Sequence, residues 1–436
     1  MSTAATWQNW GRVESSTPSR VLTPETPEDI QQIVAIASDS GQRVKPIGAS
    51  HSFTAIGATD GIRLHLDRLG GLLSADPGRG RVTVGAGTRL YELGHILSPL
   101  GLALANMGDI DRQTISGALS TGTHGTGLGF GGLATQVVGV TLVDGTGTLR
   151  HISDTENAHL LPAVALGLGA LGVLVDVTLQ CVPAFVLRAR ERPEPLAGVL
   201  ESFVERSAAH DHFEFYWFPH TRTALTKTNT RLPGDAERQP LTALSRWRDD
   251  EFMANGVYRV LCGLGAVWPA TTPPVSRAIQ RFTANRTFSD HSHRVFVTDR
   301  TVRFREMEYA LPLEEVPSAL GEVMALIETR GWRISFPLEV RSAAADEVWL
   351  STAHGRRSGY IAVHRYWRED YREYFAGVEE IMLAHGGRPH WGKIHTLETE
   401  RLAERYPRFG EFRQLRDELD PERVFANDYI ERVLGR

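Results

Sequence analysis

Two passages dense in glycine, serine and threonine are the strongest constraint on how this 436-residue chain folds. The first, PIGASHSF, covers residues 46–53, and the second, SGALSTGTHGTGLGFGG, covers residues 116–132. Such residues let the backbone approach a ligand closely and donate N–H and hydroxyl hydrogen bonds. Either passage alone would be interpreted as a tight turn. Together they predict the lining of a ligand with a pyrophosphate and a flat ring, and the first places His51 at the tip of its turn.

The segments around these passages alternate hairpins with two amphipathic helices. Thr26–Ser40 predicts the first helix, with a threonine cap and an apolar face that includes Ile30 and Val34. Residues 88–104 predict the second helix, and residues 75–87 and 137–152 predict hairpins. This order is typical of an α+β domain rather than a regular βαβ series.

Beyond about residue 182, aromatic residues and arginines become more frequent, and helical patterns are followed by strands. We therefore predict two domains, residues 1–182 and residues 183–436, the second built on a sheet with helices packed on one face. A composition of 42% hydrophobic and 23% charged residues suits a large buried core.

Composition also narrows the partners and the location. The net charge of −5 and the lack of a long Lys/Arg block disfavour nucleic acid or an anionic membrane as the main partner. No stretch of about 18 apolar residues and no secretion signal is evident, which predicts a cytoplasmic protein. Cys181 and Cys262 are isolated in apolar surroundings, so we expect core packing, with no disulfide and no metal site.

Two further glycine motifs, at residues 127–132 and 167–172, match the GxGxxG spacing of dinucleotide-binding proteins. That fingerprint requires a strand before it and a helix after it. Here the first match is followed by a predicted strand over 136–143, and the second opens a predicted strand over 173–179. A Rossmann-type site is therefore not expected, and no GK[ST] sequence supports a Walker P-loop.

Only three of the 47 basic residues are lysines, namely Lys45, Lys227 and Lys393. A lysine that remains where arginine is otherwise used is a candidate for chemistry that a guanidinium cannot perform. The alternative is that these lysines are chance survivors on the surface, which we expect for at least one of them. Lys393 is the favoured functional candidate.

Six motifs in a fixed order carry a family resemblance: PIGASHSF, TDGI, ISGALSTGTHGTG, FPLEVR, RPHWGK and PERVFANDYIERVLG. On these motifs the chain resembles the aldonolactone oxidoreductase group of vanillyl-alcohol-oxidase-type flavoproteins. That group includes L-gulono-1,4-lactone and D-arabinono-1,4-lactone oxidases or dehydrogenases, with alditol oxidases as close relatives. The resemblance implies a PCMH-type FAD-binding domain at residues 1–182. It also implies a substrate domain at 183–436, built on a large antiparallel sheet with flanking helices, whose last part, about 389–436, returns to the flavin.

The resemblance also implies the residues that hold FAD. The family's turn histidine, here His51, is bonded covalently to the 8α-methyl carbon of the flavin, and the usual second glycine of that turn is replaced by Ser50. The alternative for His51 is a histidine that hydrogen-bonds its own loop. The remaining implied contacts are Ile47, Gly48, Ala49 and Ser52 in the first loop, Ser116, Gly117, Ser120, Gly122, Thr123 and His124 in the second, and Val175 against the ring. Val175 could equally be core, and His124 is expected to shape its loop.

Candidate catalytic residues lie in the second domain. Glu339 and Arg341 are two positions apart on a predicted strand, so both project from one face. A structural ion pair is the commonest arrangement of this kind, but the resemblance implies substrate binding. His364 shares one face of its predicted strand with Ala362 and Tyr366. One interpretation is that it accepts a proton or binds substrate, and the alternative is an ordinary core or surface histidine. The resemblance further implies that Lys393 stabilises the negative charge of the reduced flavin and that Thr114 contacts the substrate.

The resemblance thus implies hydride transfer from an alcohol carbon of a sugar-derived 1,4-lactone to FAD. An alditol oxidase that acts on a polyol such as xylitol is the alternative, and a carbohydrate-binding protein that keeps FAD without turnover is a third. The partners expected are a small lactone or polyol and O2 or another electron acceptor. The sequence does not distinguish an oxidase from a dehydrogenase.

Overall fold

The computed structural model of this chain describes residues 6–242, 245, 256, 258–282, 285–298 and 301–436. Its first part contains small sheets and four helices. The strands are β1 (Trp7–Gln8), β2 (Ser15–Ser16), β3 (Arg20–Leu22), β4 (Val44–Ile47), β5 (Ile62–His65), β6 (Leu72–Asp76), β7 (Arg81–Gly85), β8 (Leu102–Ala103), β9 (Val137–Val143), β10 (Leu149–Ser153), β11 (Val173–Gln180) and β12 (Val182–Pro183). The helices are α1 (Pro27–Asp39), α2 (Leu90–Leu97), α3 (Ile115–Thr121) and α4 (Leu161–Val164).

Helix α1 forms where the sequence predicts it. Thr26 caps its N-terminus, because the Thr26 hydroxyl accepts the N–H of Asp29 and the Asp29 carboxylate accepts the N–H of Thr26. Ile30 and Val34 are buried on its inner face. The helix connects β3 to β4, and both strands pair in parallel with β5, which lies between them. This parallel three-stranded sheet positions the loop that follows β4.

The second sheet of the first part is antiparallel, with the strand order β10-β9-β11-β7-β6. Both predicted hairpins are confirmed, as β6–β7 and β9–β10. The helix predicted over 88–104 is shorter than expected. It ends at Leu97 because a 3₁₀ turn over Ser98–Leu100 follows, and Gly101 then adopts the left-handed conformation at φ +69°.

The remaining strands form one eight-stranded antiparallel sheet with the order β16-β13-β15-β14-β18-β19-β17-β20. They are β13 (Val186–Pro195), β14 (His212–Trp217), β15 (Thr223–Leu232), β16 (Arg286–His291), β17 (Phe304–Pro312), β18 (Leu338–Ala343), β19 (Ser358–Tyr366) and β20 (Arg388–Pro389). The helices are α5 (Leu196–Glu201), α6 (Phe203–Ala209), α7 (Tyr258–Val267), α8 (Thr272–Phe282), α9 (Ser292–Phe296), α10 (Val316–Arg330), α11 (Arg372–Ala384), α12 (Thr399–Ala403), α13 (Phe409–Leu419) and α14 (Asp428–Leu434).

The two faces of this large sheet differ in chemistry. One face is apolar, with Phe215, Tyr309 and Val340 in a core that α10 and α11 cover. Because strand side chains alternate, the intervening positions of β14, β17, β18 and β19 project from the opposite face. Those positions carry charged and polar residues, described below, and many of them are nevertheless buried.

The C-terminal helices return to the first part of the chain. Side chains of α13 and α14, such as Phe412 and Ile430, belong to the same hydrophobic cluster as Leu93 of α2. The backbone N–H of Val44 donates to the carbonyl of Val424 at 2.8 Å. The helices and sheets described above confirm the predicted α+β fold and the large antiparallel sheet. The domain boundary at 182/183 stays a prediction.

Cys181 and Cys262 lie in hydrophobic clusters, and neither forms a disulfide. Within the described ranges, no helix combines the length and apolar composition that crossing a membrane requires. The cytoplasmic location expected from the sequence stays a prediction.

Candidate functional site

A cavity with an empty volume of ≈820 Å³ lies between the loop after β4, the start of α3 and the loop before β11. The structure brings most of the predicted cofactor residues to this cavity. Its lining includes Ile47, Gly48, Ala49, Ser50, His51, Ser52, Thr114, Ser116, Gly117 and Ser120.

Close backbone approach explains the glycine at position 48. A Cβ atom there would lie 2.2 Å from the hydroxyl oxygen of Thr114, so only glycine lets the loop contact the start of α3. The Thr114 hydroxyl in turn accepts the N–H of Gly117 at 3.2 Å, and Ser116 donates its hydroxyl to the carbonyl of Ala86 at 2.8 Å. Main-chain and hydroxyl groups of glycine, serine and threonine thus line the cavity, as binding of the FAD expected from the sequence requires.

His51 is half-buried at the edge of this cavity. Burial, reinforced by the nearby positive charge of Lys393, lowers the pKa of His51 to about 4. The imidazole is therefore neutral near neutral pH, the form in which one ring nitrogen keeps its lone pair. Ser50, which precedes it, adopts the left-handed conformation at φ +59°.

Five predicted cofactor residues lie outside the cavity lining, namely Gly122, Thr123, His124, Val175 and Lys393. Gly122 ends α3 at φ +80°, and Val175 belongs to a hydrophobic core, while its neighbour Leu174 lines the cavity. The roles assigned to these five residues stay predictions.

The sequence reasoning missed part of the lining. Leu168, Gly169 and Gly172 come from the GxGxxG segment at 167–172, which contributes to the cavity even though β11, not a helix, follows it. Lys45 also lines it, and its ammonium donates to the carbonyl of Phe425 at 2.9 Å and to that of Gly169 at 3.3 Å. Burial lowers the pKa of Lys45 to about 7. The glycines at 167–172 could have indicated that this loop also lines the cavity, because they form a third glycine-rich run in the same part of the chain.

Glu339 and Arg341 project from the polar face of the large sheet, as predicted, and form a buried ion pair. The Arg341 guanidinium also contacts the carboxylates of Glu214 at 3.1 Å and Asp109 at 3.3 Å, and Tyr216 donates its hydroxyl to Glu339 at 2.8 Å. Burial alone would lower the pKa of Arg341, but these carboxylates outweigh it and raise the pKa above its ordinary value. The guanidinium is therefore a permanent buried cation.

A second charged group centres on Glu306, which lies opposite His364 in the β17–β19 register. The Lys393 ammonium is 2.5 Å from one Glu306 oxygen, and Nε2 of His364 is 3.5 Å from the other. Burial tends to raise the pKa of Glu306, but Lys393 and His364 outweigh it and hold the pKa well below its usual range. Nδ1 of His364 is 2.8 Å from the carbonyl of Pro337, which can only accept, so Nδ1 carries the hydrogen.

Glu308 lies between two buried histidines, His124 and His390, and the three side chains could in principle ligate a metal ion. The backbone N–H of Gly392, however, donates to Nδ1 of His390 at 3.0 Å. Burial lowers the pKa of His390 to about 3, so the ring is neutral and its hydrogen lies on Nε2. Nε2 of His124 lies 3.3 Å from the Glu308 carboxylate, so the cluster is a buried carboxylate held between two imidazole rings.

Aromatic contacts join the cavity to the charged face. The ring of Trp10 stacks on His51, with centroids 5.7 Å apart, and meets the edge of Phe304 at 5.1 Å. Phe304 in turn meets His364 at 5.0 Å. The Lys393 ammonium lies 5.4 Å from the ring centre of Phe53, which follows the His51 turn. His51, His364 and Lys393 thus belong to one region.

The structure contradicts the expectation that at least one of the three lysines lies on the surface. Lys45 and Lys227 are buried, Lys227 lying 3.6 Å from Glu214, and Lys393 keeps only 19% of its side chain exposed. The expectation that at least one of the three is a surface survivor is therefore wrong. Each lysine instead contacts buried oxygen acceptors.

Comparisons with known proteins agree with this architecture. Residues 177–433 match the family model described as D-arabinono-1,4-lactone oxidase, and residues 18–153 match the FAD binding domain. An L-gulono-1,4-lactone dehydrogenase of Mycobacterium tuberculosis is 41% identical over 98% of this chain and 99% of its own length. An alditol oxidase of a Streptomyces species is 31% identical over the full length of both chains.

Among solved structures, the cholesterol oxidase of Brevibacterium sterolicum is similar, with a TM-score of 0.82 over 98% of this chain and 96% of that one. At 18% identity this likeness shows the fold alone. The family model, in contrast, covers more than half of the chain, and the M. tuberculosis relative covers nearly all of it. The chain belongs to the D-arabinono-1,4-lactone oxidase family of FAD-dependent oxidoreductases.

Proposed function

We propose that this protein oxidises an alcohol carbon of a sugar-derived 1,4-lactone of the L-gulono-1,4-lactone type. The observation that carries the proposal is the buried charged face of the large sheet, where Glu339 with Arg341 and Glu306 with Lys393 form two ion pairs beside the His51 turn. A polyhydroxylated substrate needs such acceptor and donor groups. The 41% identity to an L-gulono-1,4-lactone dehydrogenase supports a lactone as that substrate.

In this proposal residues 47–52 hold the pyrophosphate of FAD through backbone N–H and hydroxyl groups, and the start of α3 lines the other side of the cofactor. His51 forms the covalent bond to FAD. Its neutral imidazole and its place at the cavity edge support this role. When bound, FAD supplies the acceptor for the hydride that leaves the substrate carbon.

Arg341 and Lys393 bind the substrate oxygens and offset the negative charge that develops during the reaction. Burial strengthens both interactions, because little water screens them. Asp109 and Lys393 keep 15% and 19% of their side chains exposed, and the proposed substrate entry lies beside them. Glu339 accepts a hydrogen bond from a substrate hydroxyl, and Thr114 offers its own hydroxyl from the cavity side.

His364 is the proposed proton acceptor for the reacting hydroxyl. Because Nδ1 donates to the carbonyl of Pro337, a neutral ring has its lone pair on Nε2. That nitrogen faces Glu306, whose carboxylate stabilises the imidazolium formed when the proton arrives. Glu306 thus serves both His364 and Lys393. An ordinary buried histidine that pairs with this carboxylate is the alternative.

An alditol such as xylitol is the second candidate substrate, because an alditol oxidase matches the chain over its full length. The test is an anaerobic stopped-flow comparison of L-gulono-1,4-lactone and xylitol, in which loss of the visible flavin absorbance reports cofactor reduction. We expect faster bleaching with the lactone. Faster bleaching with xylitol would favour the alditol oxidase, and no bleaching with either would favour a protein that keeps FAD without turnover. Air reoxidation of the bleached protein then distinguishes an oxidase from a dehydrogenase.

A matched pair of variants tests the charged face. Glu339→Gln should slow reduction and raise the lactone concentration needed for half the maximal rate. Glu314→Gln is the control, because Glu314 pairs with Arg357 at the surface, where both side chains are more than half exposed. Equal reduction kinetics in the two variants would refute the role of Glu339.

A further inference from the structure

The N-terminal segment at residues 7–14 packs on the turn that carries His51. The segment folds back on itself through Asn9, whose side-chain oxygen accepts the backbone N–H of Glu14 at 3.2 Å. Asn9 is only 2% exposed, and its amide donates to the carbonyl of Ser52 at 3.0 Å. The segment is thereby attached to the turn just after His51.

Ser50, just before His51, is the strained residue of this turn. Its φ of +59° is unfavourable for a residue with a Cβ atom, whereas glycine adopts it freely. Two hydrogen bonds from the segment oppose the strain. The indole Nε1–H of Trp7 donates to the Ser50 hydroxyl at 2.8 Å, and the backbone N–H of Trp10 donates to the Ser50 carbonyl at 2.8 Å. The hydroxyl that distinguishes serine from glycine is thus the acceptor for Trp7.

The ring of His51 is oriented by the same segment. The indole of Trp10 stacks on it at an interplanar angle of 27°, and this indole is itself held edge-on by Phe53 and Phe304. A stacked imidazole has fewer orientations available than a free one. Trp7 also lines the cavity, so the segment contacts the turn and the cavity at once.

We propose that Trp7 and Trp10 are positioning residues for the covalent attachment of FAD, with Trp7 holding Ser50 in the left-handed conformation and Trp10 orienting the His51 ring. This inference rests on the attachment proposed above. When the bond forms, His51 loses its N–H hydrogen and the 8α-methyl carbon loses one hydrogen, and a C–N bond replaces both. The two electrons and two protons released reduce dioxygen to hydrogen peroxide.

The test measures covalent incorporation rather than turnover. Full-length protein from riboflavin-limited cells is mixed with FAD in air, and samples are denatured in acid at intervals. Flavin fluorescence of the protein band on a denaturing gel gives the rate. Trp7→Phe keeps the ring but removes the N–H donor, so incorporation should slow roughly fivefold, the loss expected for one hydrogen bond. Trp10→Leu removes the stack and should slow it by a similar factor.

Variants of Ser50 distinguish a positioning role of Trp7 from a general role of Trp7 in folding. Ser50→Ala keeps the strained Cβ but lacks the acceptor, so it should slow incorporation as Trp7→Phe does, and the two changes combined should be no worse than either. Ser50→Gly removes the strain, so it should incorporate FAD within about twofold of the unmodified chain and make Trp7→Phe harmless in the same molecule. Trp268→Phe is the control, because Trp268 is 62% exposed and outside the segment. Thermal unfolding and non-covalent FAD binding identify any variant that fails to fold.

Unchanged rates in Trp7→Phe and Ser50→Ala would overturn the inference while leaving the covalent bond standing, as would additive effects with no rescue by glycine. An unmodified chain that oxidises the lactone but shows no fluorescent band would overturn both the attachment and this inference, and would leave the substrate proposal intact. A fluorescent band with the expected variant pattern but no lactone oxidation would support the inference and refute the substrate.

Discussion

Replacement of Lys393 by methionine is the sharpest perturbation of the charged face. The Lys393 ammonium lies 2.5 Å from Glu306, whose side chain is only 6% exposed. Methionine has a similar length and no charge, so the substitution leaves the Glu306 carboxylate buried with the His364 ring, at 3.5 Å, as its remaining partner in this group. Two consequences follow, one for stability and one for rate.

Removing one partner of a buried ion pair typically destabilises a protein by about 3–5 kcal/mol. Lys393 retains 19% side-chain exposure, so we expect the lower end, about 3 kcal/mol. Removing one preorganised charge from a reacting site typically slows chemistry by roughly 10²–10³-fold. Glu306→Gln added to Lys393→Met makes both partners neutral, so the double variant should recover most of the stability but not the rate.

The assay combines urea unfolding with anaerobic stopped-flow reduction by L-gulono-1,4-lactone. The reasoning predicts that Lys393→Met retains FAD, unfolds at lower urea concentration and reduces its flavin roughly 10²-fold more slowly or worse. Arg357→Met, which breaks a surface ion pair with Glu314, serves as the control for loss of a cation. Reduction at the unmodified rate in Lys393→Met, or in the double variant, would refute the assigned role of this ammonium.

Three further predictions concern burial and close packing. The pKa of Lys45 is about 7 in the folded protein and 10.5 for the free side chain. Between these pH values the unfolded chain binds one more proton than the folded chain, so the free energy of unfolding rises with pH. Measured by urea titration from pH 7.5 to 9, it should rise by about 1.4 kcal/mol per pH unit relative to Lys45→Met. Gly48→Ala should lower FAD content, measured as flavin per protein, because its Cβ would meet the Thr114 hydroxyl, and Thr114→Ala in the same chain should restore part of it. Arg341→Met should destabilise the protein by about 3–5 kcal/mol in urea, because it removes the buried cation that Glu339, Glu214 and Asp109 share; an unfolding midpoint equal to that of the unmodified chain would contradict this.

Local signals predicted the local structure well. The Thr26 cap fixed the start of α1, and the hairpin turns at Asp76 and Asp144 were found because turn residues interrupt alternating strands. The i, i+2 spacing of Glu339 and Arg341 correctly placed both on one face, because strand alternation depends only on the residues themselves. The end of α2 was misjudged, since an apolar pattern continues through residues 98–104 although the chain has left the helix.

The partners of the charged residues were harder to predict because they come from distant parts of the chain. Glu306 meets Lys393 across 87 positions, and Asp109 meets Arg341 from the other half of the molecule. A usable signal existed in FREMEYA, where Glu306 and Glu308 alternate with apolar residues inside a strand otherwise fit for a core. Sequence alternation shows that these carboxylates share a face, but only the sheet register shows which cations they face.

The burial of all three lysines has a practical consequence for chemical labelling. Reagents that acylate primary amines do not modify arginine, so the many surface guanidinium groups of this chain are inert to them. Lys393 is the lysine with the largest exposed fraction, and that fraction lies beside the charged face. Apart from the terminal α-amine, such reagents would therefore find few reactive amines, because the Lys393 ammonium is paired with Glu306 and only a neutral amine is acylated. Faster acylation of Lys393 would report that this ion pair has been broken, as in Glu306→Gln.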